Sequence, residues 1–220
     1  MKKLITLFVL IAAAGCTAPQ PAHAASSCPT LYPGGKEIAV PNTVELCSEF
    51  FVSVFDTKNN AAVFSSEITT PRTNKVVRKN DFRADKRITN GPTPDDYTNT
   101  GYDRGHMTPA ADSNSDKQMS ETFLMTNMTP QLPSVNRVAW RMLEDRVRSV
   151  PFKHVITGAV YKWPAKTIGK NKVPVPVALY KIAYFESGNV AVYYVDNIDK
   201  ATVRTMPIED IERQVGFDLP

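Results

Sequence analysis

Residues 127–147 read NMTPQLPSVNRVAWRMLEDRV, and the rest of the chain can be organised around them. From Ser134 to Val147 the apolar residues Val135, Val138, Ala139, Met142, Leu143 and Val147 recur at helical spacing, which predicts an amphipathic helix. Asn136, Trp140 and Glu144 follow at intervals of four, along one side of that helix with a drift of about 40° per step. Trp140 and Leu143 are expected to face the core. Asn136 and Glu144 would flank them at the edge, open to a hard cation or its waters. An ideal helix would separate those two residues by about 12 Å along its axis, so they can serve one ion only if Glu144 acts through water or the helix starts irregularly. Pro133 and Ser134 favour an irregular start.

On either side of this helix the pattern is mostly β. Phe50 to Phe55 and Ala62 to Ser66 are β-branched and aromatic runs joined by the turn-rich Asp56-Thr57-Lys58-Asn59-Asn60, which predicts a hairpin. His154 to Tyr161, Ala178 to Glu186 and Val190 to Val195 read as strands, the last two paired around Ser187-Gly188-Asn189. Residues 70 to 100 are polar and broken by Pro71, Gly91, Pro92 and Pro94, so a long irregular loop is expected there. Short helices are predicted from Ser115 to Phe123 and from Pro207 to Val215, with Gly216 as the stop. Strands outnumber helices and arrive in hairpins, which indicates an α+β domain on a largely antiparallel sheet.

Composition excludes several classes. The 220 residues are 42% hydrophobic and 22% charged with a net charge of +4, ordinary values for a chain that buries a core. The one long apolar run, Leu4 to Ala14 behind Lys2 and Lys3, fits the h-region of a secretory leader. Ala22-His23-Ala24 would end a signal peptide at residue 24, giving a soluble periplasmic or secreted product. Alternatively, Ala13-Ala14-Gly15-Cys16 would make Cys16 the lipid anchor of an outer-membrane lipoprotein. Export places Cys28 and Cys47 in an oxidising compartment, where they are expected to form a disulfide within an extension over residues 25–48, ahead of a domain over 49–220.

Histidine is scarce. Beyond the leader only His106 and His154 remain, and His154 opens an apolar strand, where a structural role is expected. His106 stands in Gly101-Tyr102-Asp103-Arg104-Gly105-His106-Met107, directly after the polar loop. An acid and a guanidinium just before an imidazole can fix its tautomer and bind a phosphate, and Gly105 permits close backbone approach. Upstream, Arg72, Lys75, Arg78, Lys79, Arg83, Lys86 and Arg87 outnumber Asp81 and Asp85, and this run is expected to line a phosphate-tracking groove.

Asp103-Arg104-Gly105-His106, then Asn127-Met128-Thr129-Pro130-Gln131, then Asn136-x3-Trp140-x2-Leu143-Glu144 resemble, in order and with matching gaps, the DNA/RNA non-specific endonuclease family. This is the Serratia nuclease and endonuclease G group of the ββα-metal (His-Me finger) superfamily. The resemblance runs from about Phe50 to Gly216 and includes Val155-Ile156-Thr157-Gly158 and Ile208-Glu209-Asp210-Ile211-Glu212. It implies a single Mg²⁺, replaceable by Mn²⁺, held by Asn136, with His106 as general base and Glu144 on a metal-bound water. Arg104 would contact substrate, while Asp103, Asn127 and Gln131 would shape the site. A transition-state arginine would come from the loop, with Arg78 the best match and Arg83 the alternative. The implied activity is hydrolysis of DNA and RNA with little sequence preference, leaving 5′-phosphates. The competing readings are a catalytically silent nucleic-acid-binding or uptake protein of the same fold and a phosphodiesterase acting on another polymer. An inhibitor protein and an oligomeric state are not legible in the sequence.

Overall fold

A computed structural model describes residues 25–71 and 76–220. The expected leader, the Cys16 alternative, Arg72 and Lys75 lie outside the described residues. The molecule is organised on a seven-stranded sheet in the order β1-β2-β3-β6-β9-β10-β11, with every neighbouring pair antiparallel. Its strands are β1 (Thr43–Cys47), β2 (Phe51–Asp56), β3 (Ala61–Ile68), β6 (Phe152–Val160), β9 (Ala178–Phe185), β10 (Val190–Asp196) and β11 (Arg204–Thr205). Both expected hairpins are present, as β2–β3 and β9–β10.

The sheet is covered on both faces, which is why its central strands read as nearly continuous apolar runs. On one face Val52, Val54, Phe64, Ile156, Tyr180 and Ile182 pack with Leu31, Tyr32 and Ile211 of the closing helix α3 (Ile208–Val215). On the other, Phe55, Val155, Ala159, Leu179 and Ala183 pack against Val135, Trp140, Leu143 and Val147. Alternation along β6 sends Val155 and Ala159 one way and Ile156 and Val160 the other, as the two-residue period of a strand requires. Gly216 ends α3 in the left-handed region at φ 81°, the conformation its lack of a Cβ permits.

Residues 25–48, expected as an extension, are built into this body. β1 is an edge strand paired with β2, and Leu31, Tyr32 and Ile38 are buried core residues. Cys28 and Cys47 form the expected disulfide, with Cα atoms 6.1 Å apart.

Two further pieces position the site. β4 (Asp103–His106) and β5 (Met128–Gln131) form a two-stranded ribbon, with Arg104 opposite Pro130 and His106 opposite Met128. Between them lies α1 (Asp116–Thr122), capped by the Ser115 hydroxyl, which accepts from the Gln118 N–H. After β5 the chain enters a π-helical turn, Val135–Trp140, which continues as α2 (Arg141–Arg148). The irregular start expected near Asn136 is this wide turn. A small hairpin, β7 (Thr167–Ile168) with β8 (Val173–Pro174), completes the molecule.

Candidate active site

From residue 76 on, the polar loop before β4 has little regular structure, yet hydrogen bonds fix it in place. Arg83 bridges to the chain beyond α1, its N–H donating to the Phe123 carbonyl (3.3 Å) and its carbonyl accepting from Met125 N–H (3.0 Å). Buried Asp85 accepts from Thr126 Oγ1 (2.6 Å) and pairs with Arg87 (2.6 Å). These bonds bring Phe82 alongside Phe123, rings 4.8 Å apart edge to face.

His106 packs against both rings. Its imidazole lies edge to face on Phe123 at 4.9 Å and tilted on Phe82 at 5.8 Å. Arg78 covers the Phe123 ring with its guanidinium carbon 5.1 Å from the centroid, and Arg104 covers Phe82 at 4.6 Å. The imidazole therefore sits in an apolar seat flanked by two cations. Burial in that seat, with the charge of Arg78, pushes its pKa down to about 3, so the ring is neutral at physiological pH. Its Nε2 is shut off from solvent without a hydrogen-bond partner, which leaves Nδ1 as the nitrogen able to meet a water in the cleft.

Asn136 lines the same cleft as His106. Its Nδ2 donates to Asp103 Oδ2 (2.9 Å), and Arg137 grips the same carboxylate twice, at 2.7 and 2.6 Å. Burial works the other way, but the bonds from Arg137 and Asn136 and the charges of Arg137 and Arg104 hold Asp103 below the ordinary carboxylate range. An acid ionised under these conditions can only accept. It therefore turns the Asn136 carboxamide N–H₂ toward itself and leaves Oδ1 as the outward end. Asp103 thus orients Asn136 rather than the imidazole, since strand positions an odd number apart, here three, point to opposite sides.

A cleft of about 540 Å³ joins these groups, lined by Arg78, Phe82, Asp103, Arg104, His106, Asn136 and Glu144 together with Arg137, Arg141 and Arg148. Burial raises the Glu144 carboxyl to about 7, with Lys181 pulling it down and Asp112 pushing it up. Behind the cleft, Glu144 also borders a chamber of about 300 Å³ containing Glu67, Asp112, Arg148 and Lys181. Lys181 is buried; it donates to Thr157 Oγ1 and lies 5.5 Å from the Trp140 ring centroid.

Asn127 and Gln131 do not line the cleft. Asn127 is a buried clamp: Oδ1 accepts from Thr108 N–H (3.0 Å), and Nδ2 donates to the carbonyls of Thr108 and Thr122 (2.9 Å each). Gln131 is buried against Gly105, where an added Cβ would come 2.1 Å from the Gln131 side-chain carbon. That contact, beneath the ribbon that carries His106, is the close approach that requires glycine.

The basic run behaves differently from the expectation. Lys79 pairs with Asp116, Arg83 with Asp81 and the Ser120 carbonyl, and Arg87 with Asp85. Of its described members only Arg78 lines the cleft. Cationic lining comes instead from Arg137, Arg141 and Arg148 on the helix, whose intervals of four and seven residues, one and two helical turns, were visible in the sequence beside Asn136 and Glu144.

A β-ribbon facing a helix, with an imidazole on the first and a carboxamide on the second, defines the ββα-metal class. Residues 35–220 match the family described as DNA/RNA non-specific endonuclease, and the chain belongs to that family. It is 31% identical over 208 residues to the mitochondrial endonuclease G of Homo sapiens, covering 81% of this chain and 70% of that protein. It is 32% identical over 152 residues to a nuclease of Nostoc sp., covering 64% of this chain and 54% of that protein. The chain therefore spans little more than half of some curated relatives. Among solved structures, endonuclease G in complex with its inhibitor EndoGI superposes with a TM-score of 0.70 at 26% identity, covering 80% of this chain and 84% of that one.

Proposed function

We propose that this chain is an exported endonuclease that hydrolyses DNA and RNA phosphodiesters with little sequence preference, using one Mg²⁺ and leaving 5′-phosphates. The observation that carries the reading is one cleft lined by both neutral His106 and the Asn136 carboxamide, among five arginines. The leader-like N-terminus and the disulfide support export, either as a soluble product or as a lipoprotein anchored at Cys16.

The donor set suits a hard ion. Among the described residues the only His, Cys, Asp or Glu trio close enough to ligate a metal is Cys28, Glu45 and Cys47, whose sulfurs are joined in the disulfide. An ion in the cleft would rest on Asn136 Oδ1, substrate oxygens and water, as Mg²⁺ prefers and Mn²⁺ tolerates. When bound, it would supply charge for a phosphate oxygen and for the departing 3′-oxygen.

The chain's own groups would do the rest. His106 Nδ1 takes a proton from the attacking water, with the ring hydrogen carried on Nε2. Arg78 and Arg104, held over Phe123 and Phe82, present planar donors to the phosphate as charge accumulates. Glu144, whose carboxyl burial raises to about 7, would be favoured as an anion beside a bound cation and could then hold a water. The arginines that dominate the cleft lining suit phosphate, and contacts to phosphate carry no sequence information.

Purified protein incubated with supercoiled plasmid and with RNA, in Mg²⁺ or EDTA, tests the reading. Cleavage of both in Mg²⁺ alone, abolished in His106→Ala with nucleic-acid binding retained, is the expected result. Intact substrates with wild-type folded protein overturn it, and binding without cleavage favours the silent binder.

A further inference from the structure

Between β6 and β8 the chain reads Tyr161-Lys162-Trp163-Pro164-Ala165-Lys166-Thr167-Ile168-Gly169-Lys170-Asn171-Lys172, with four lysines and no acid. Trp163 is 54% exposed, a large apolar surface left to solvent, while Trp140, the protein's other tryptophan, is 1% exposed. The Trp163 indole is stacked on Tyr161 with centroids 5.8 Å apart and planes at 28°, so one side is backed and held. Tyr161 is rooted beneath the catalytic ribbon: its hydroxyl donates to the Ala62 carbonyl (3.0 Å) and lies 3.3 Å from Thr129 Oγ1 in β5.

A second link joins this surface to the cleft. Lys166 Nζ donates to the Tyr102 hydroxyl (3.3 Å) and sits 5.1 Å from that ring's centroid, and Tyr102 directly precedes Asp103 at the cleft wall. Among the described residues no carboxylate forms an ion pair with Lys162 or Lys166, both of which are exposed. Lys170 adjoins Asp95 and Asp96 and contributes nothing to the case.

An exposed, backed indole between unpaired lysines has the two features that hold a flexible polyanion of flat rings. A π-face accepts any base, and the cations follow the backbone. A base inside a duplex has both faces covered by its neighbours, so only an unpaired base can use the indole. We propose that Trp163, with Lys162 and Lys166, is a stacking subsite for an unpaired nucleobase, which guides single-stranded DNA or RNA toward the cleft and favours it over duplex. The proposal rests on the endonuclease reading and names the substrate form which that site engages.

Fluorescence tests it directly, because Trp140 is buried in the core and Trp163 is open to a ligand. The protein in EDTA is titrated with a short oligothymidylate and with a duplex of equal length, following indole emission and, in parallel, anisotropy of the labelled nucleic acid. The single strand is expected to quench the emission and the duplex to leave it nearly unchanged. Trp163→Ala should weaken single-strand binding by roughly fivefold to a hundredfold, with duplex affinity within about twofold, and Trp163→Tyr should restore much of the loss. Lys166→Gln should weaken single-strand binding and flatten its salt dependence.

Binding seen by anisotropy with an unquenched indole overturns the subsite without needing any variant, and so does an equal loss for both forms in Trp163→Ala. If wild-type protein cleaves neither DNA nor RNA in Mg²⁺, the endonuclease reading falls and this one with it. Cleavage with an unresponsive indole removes the stacking subsite alone.

Discussion

Asn127 offers the sharpest test of how the fold holds the imidazole in place. Its fully buried carboxamide makes three hydrogen bonds, all to backbone: one from Thr108 N–H and one each to the carbonyls of Thr108 and Thr122. Asn127→Ala removes all three and leaves those groups unpaired, each costing about 1–3 kcal/mol, less where a water enters the vacated space. The expected loss is about 3–5 kcal/mol by urea unfolding in EDTA, a large share of the roughly 5–15 kcal/mol typical of a domain. Because Thr108 lies two positions beyond His106, cleavage by the folded variant should fall by about tenfold or more.

Asn127→Asp sharpens the reasoning, since it keeps the size and the acceptor but turns an oxygen toward two carbonyls. Its carboxyl should titrate above the unfolded value of about 3.9. Relative to Asn127→Ala, the Asp variant is then best placed at low pH, where it can donate, and loses ground as pH rises through its folded pKa. A loss under about 1 kcal/mol for Asn127→Ala, or an Asp variant that tracks the Ala variant at every pH, would refute the argument.

The remaining predictions concern the loop, the ring and the disulfide. With its folded pKa near 3 against about 6.5 unfolded, His106 binds fewer protons in the native state between those values, so it destabilises the fold as pH falls; His106→Gln should remove up to about 2 kcal/mol of the stability difference between pH 7 and pH 5 in EDTA, and an unchanged slope counts against the apolar seat. Arg78→Ala should lower the cleavage rate by about a hundredfold with little change in stability, whereas Arg83→Ala, which loses Asp81 and the Ser120 carbonyl, should cost about 1–2 kcal/mol and less in rate; the opposite outcome in paired kinetics and unfolding would move the transition-state role to Arg83. Replacing Cys28 and Cys47 together by Ser should lower stability by about 3 kcal/mol in unfolding experiments, as chain entropy predicts for a separation of 19 residues, and a loss below about 1 kcal/mol would mean that the β1–β2 pairing holds this segment unaided.

Elements whose signal is periodic were legible from the sequence. The helix from Ser134, the hairpins and the stop at Gly216 follow from spacing that one stretch of chain carries by itself. The ribbon β4–β5 was not read as strand, because Asp103-Arg104-Gly105-His106 has no alternation and its partner contains Pro130. Only pairing across the α1 connection makes it β. Edge strand β1 was missed for a similar reason, since Thr43–Cys47 is short and its pairing with β2 is a tertiary fact. The basic run misled because charge counts do not reveal partners: Asp116, Asp81 and Asp85 pair with Lys79, Arg83 and Arg87, three of its five described members. The aromatic seat of His106 joins Phe82 and Phe123, which the bridge at Arg83 and the bond between Asp85 and Thr126 bring together across the sequence.

The distance problem between Asn136 and Glu144 shows how local geometry and site chemistry constrain each other. A regular helix would set them about 12 Å apart along the axis and on diverging sides, yet both line one cleft. The π-helical turn at Val135–Trp140 changes the phase of Asn136 relative to the α-helical turns that carry Glu144, while Trp140 and Leu143 stay buried in the core beneath them. Such a turn makes poorer use of backbone hydrogen bonds than an α-helix and needs external support. That support is in place at its polar edge, where Asp103 takes the Asn136 amide and the Arg137 guanidinium together. The same three-residue lock that stabilises an irregular turn thus fixes the orientation of the carboxamide a metal would use. Because the turn shifts phase more than it shortens the axial span, Glu144 would reach an ion held by Asn136 through water, as the proposed function requires.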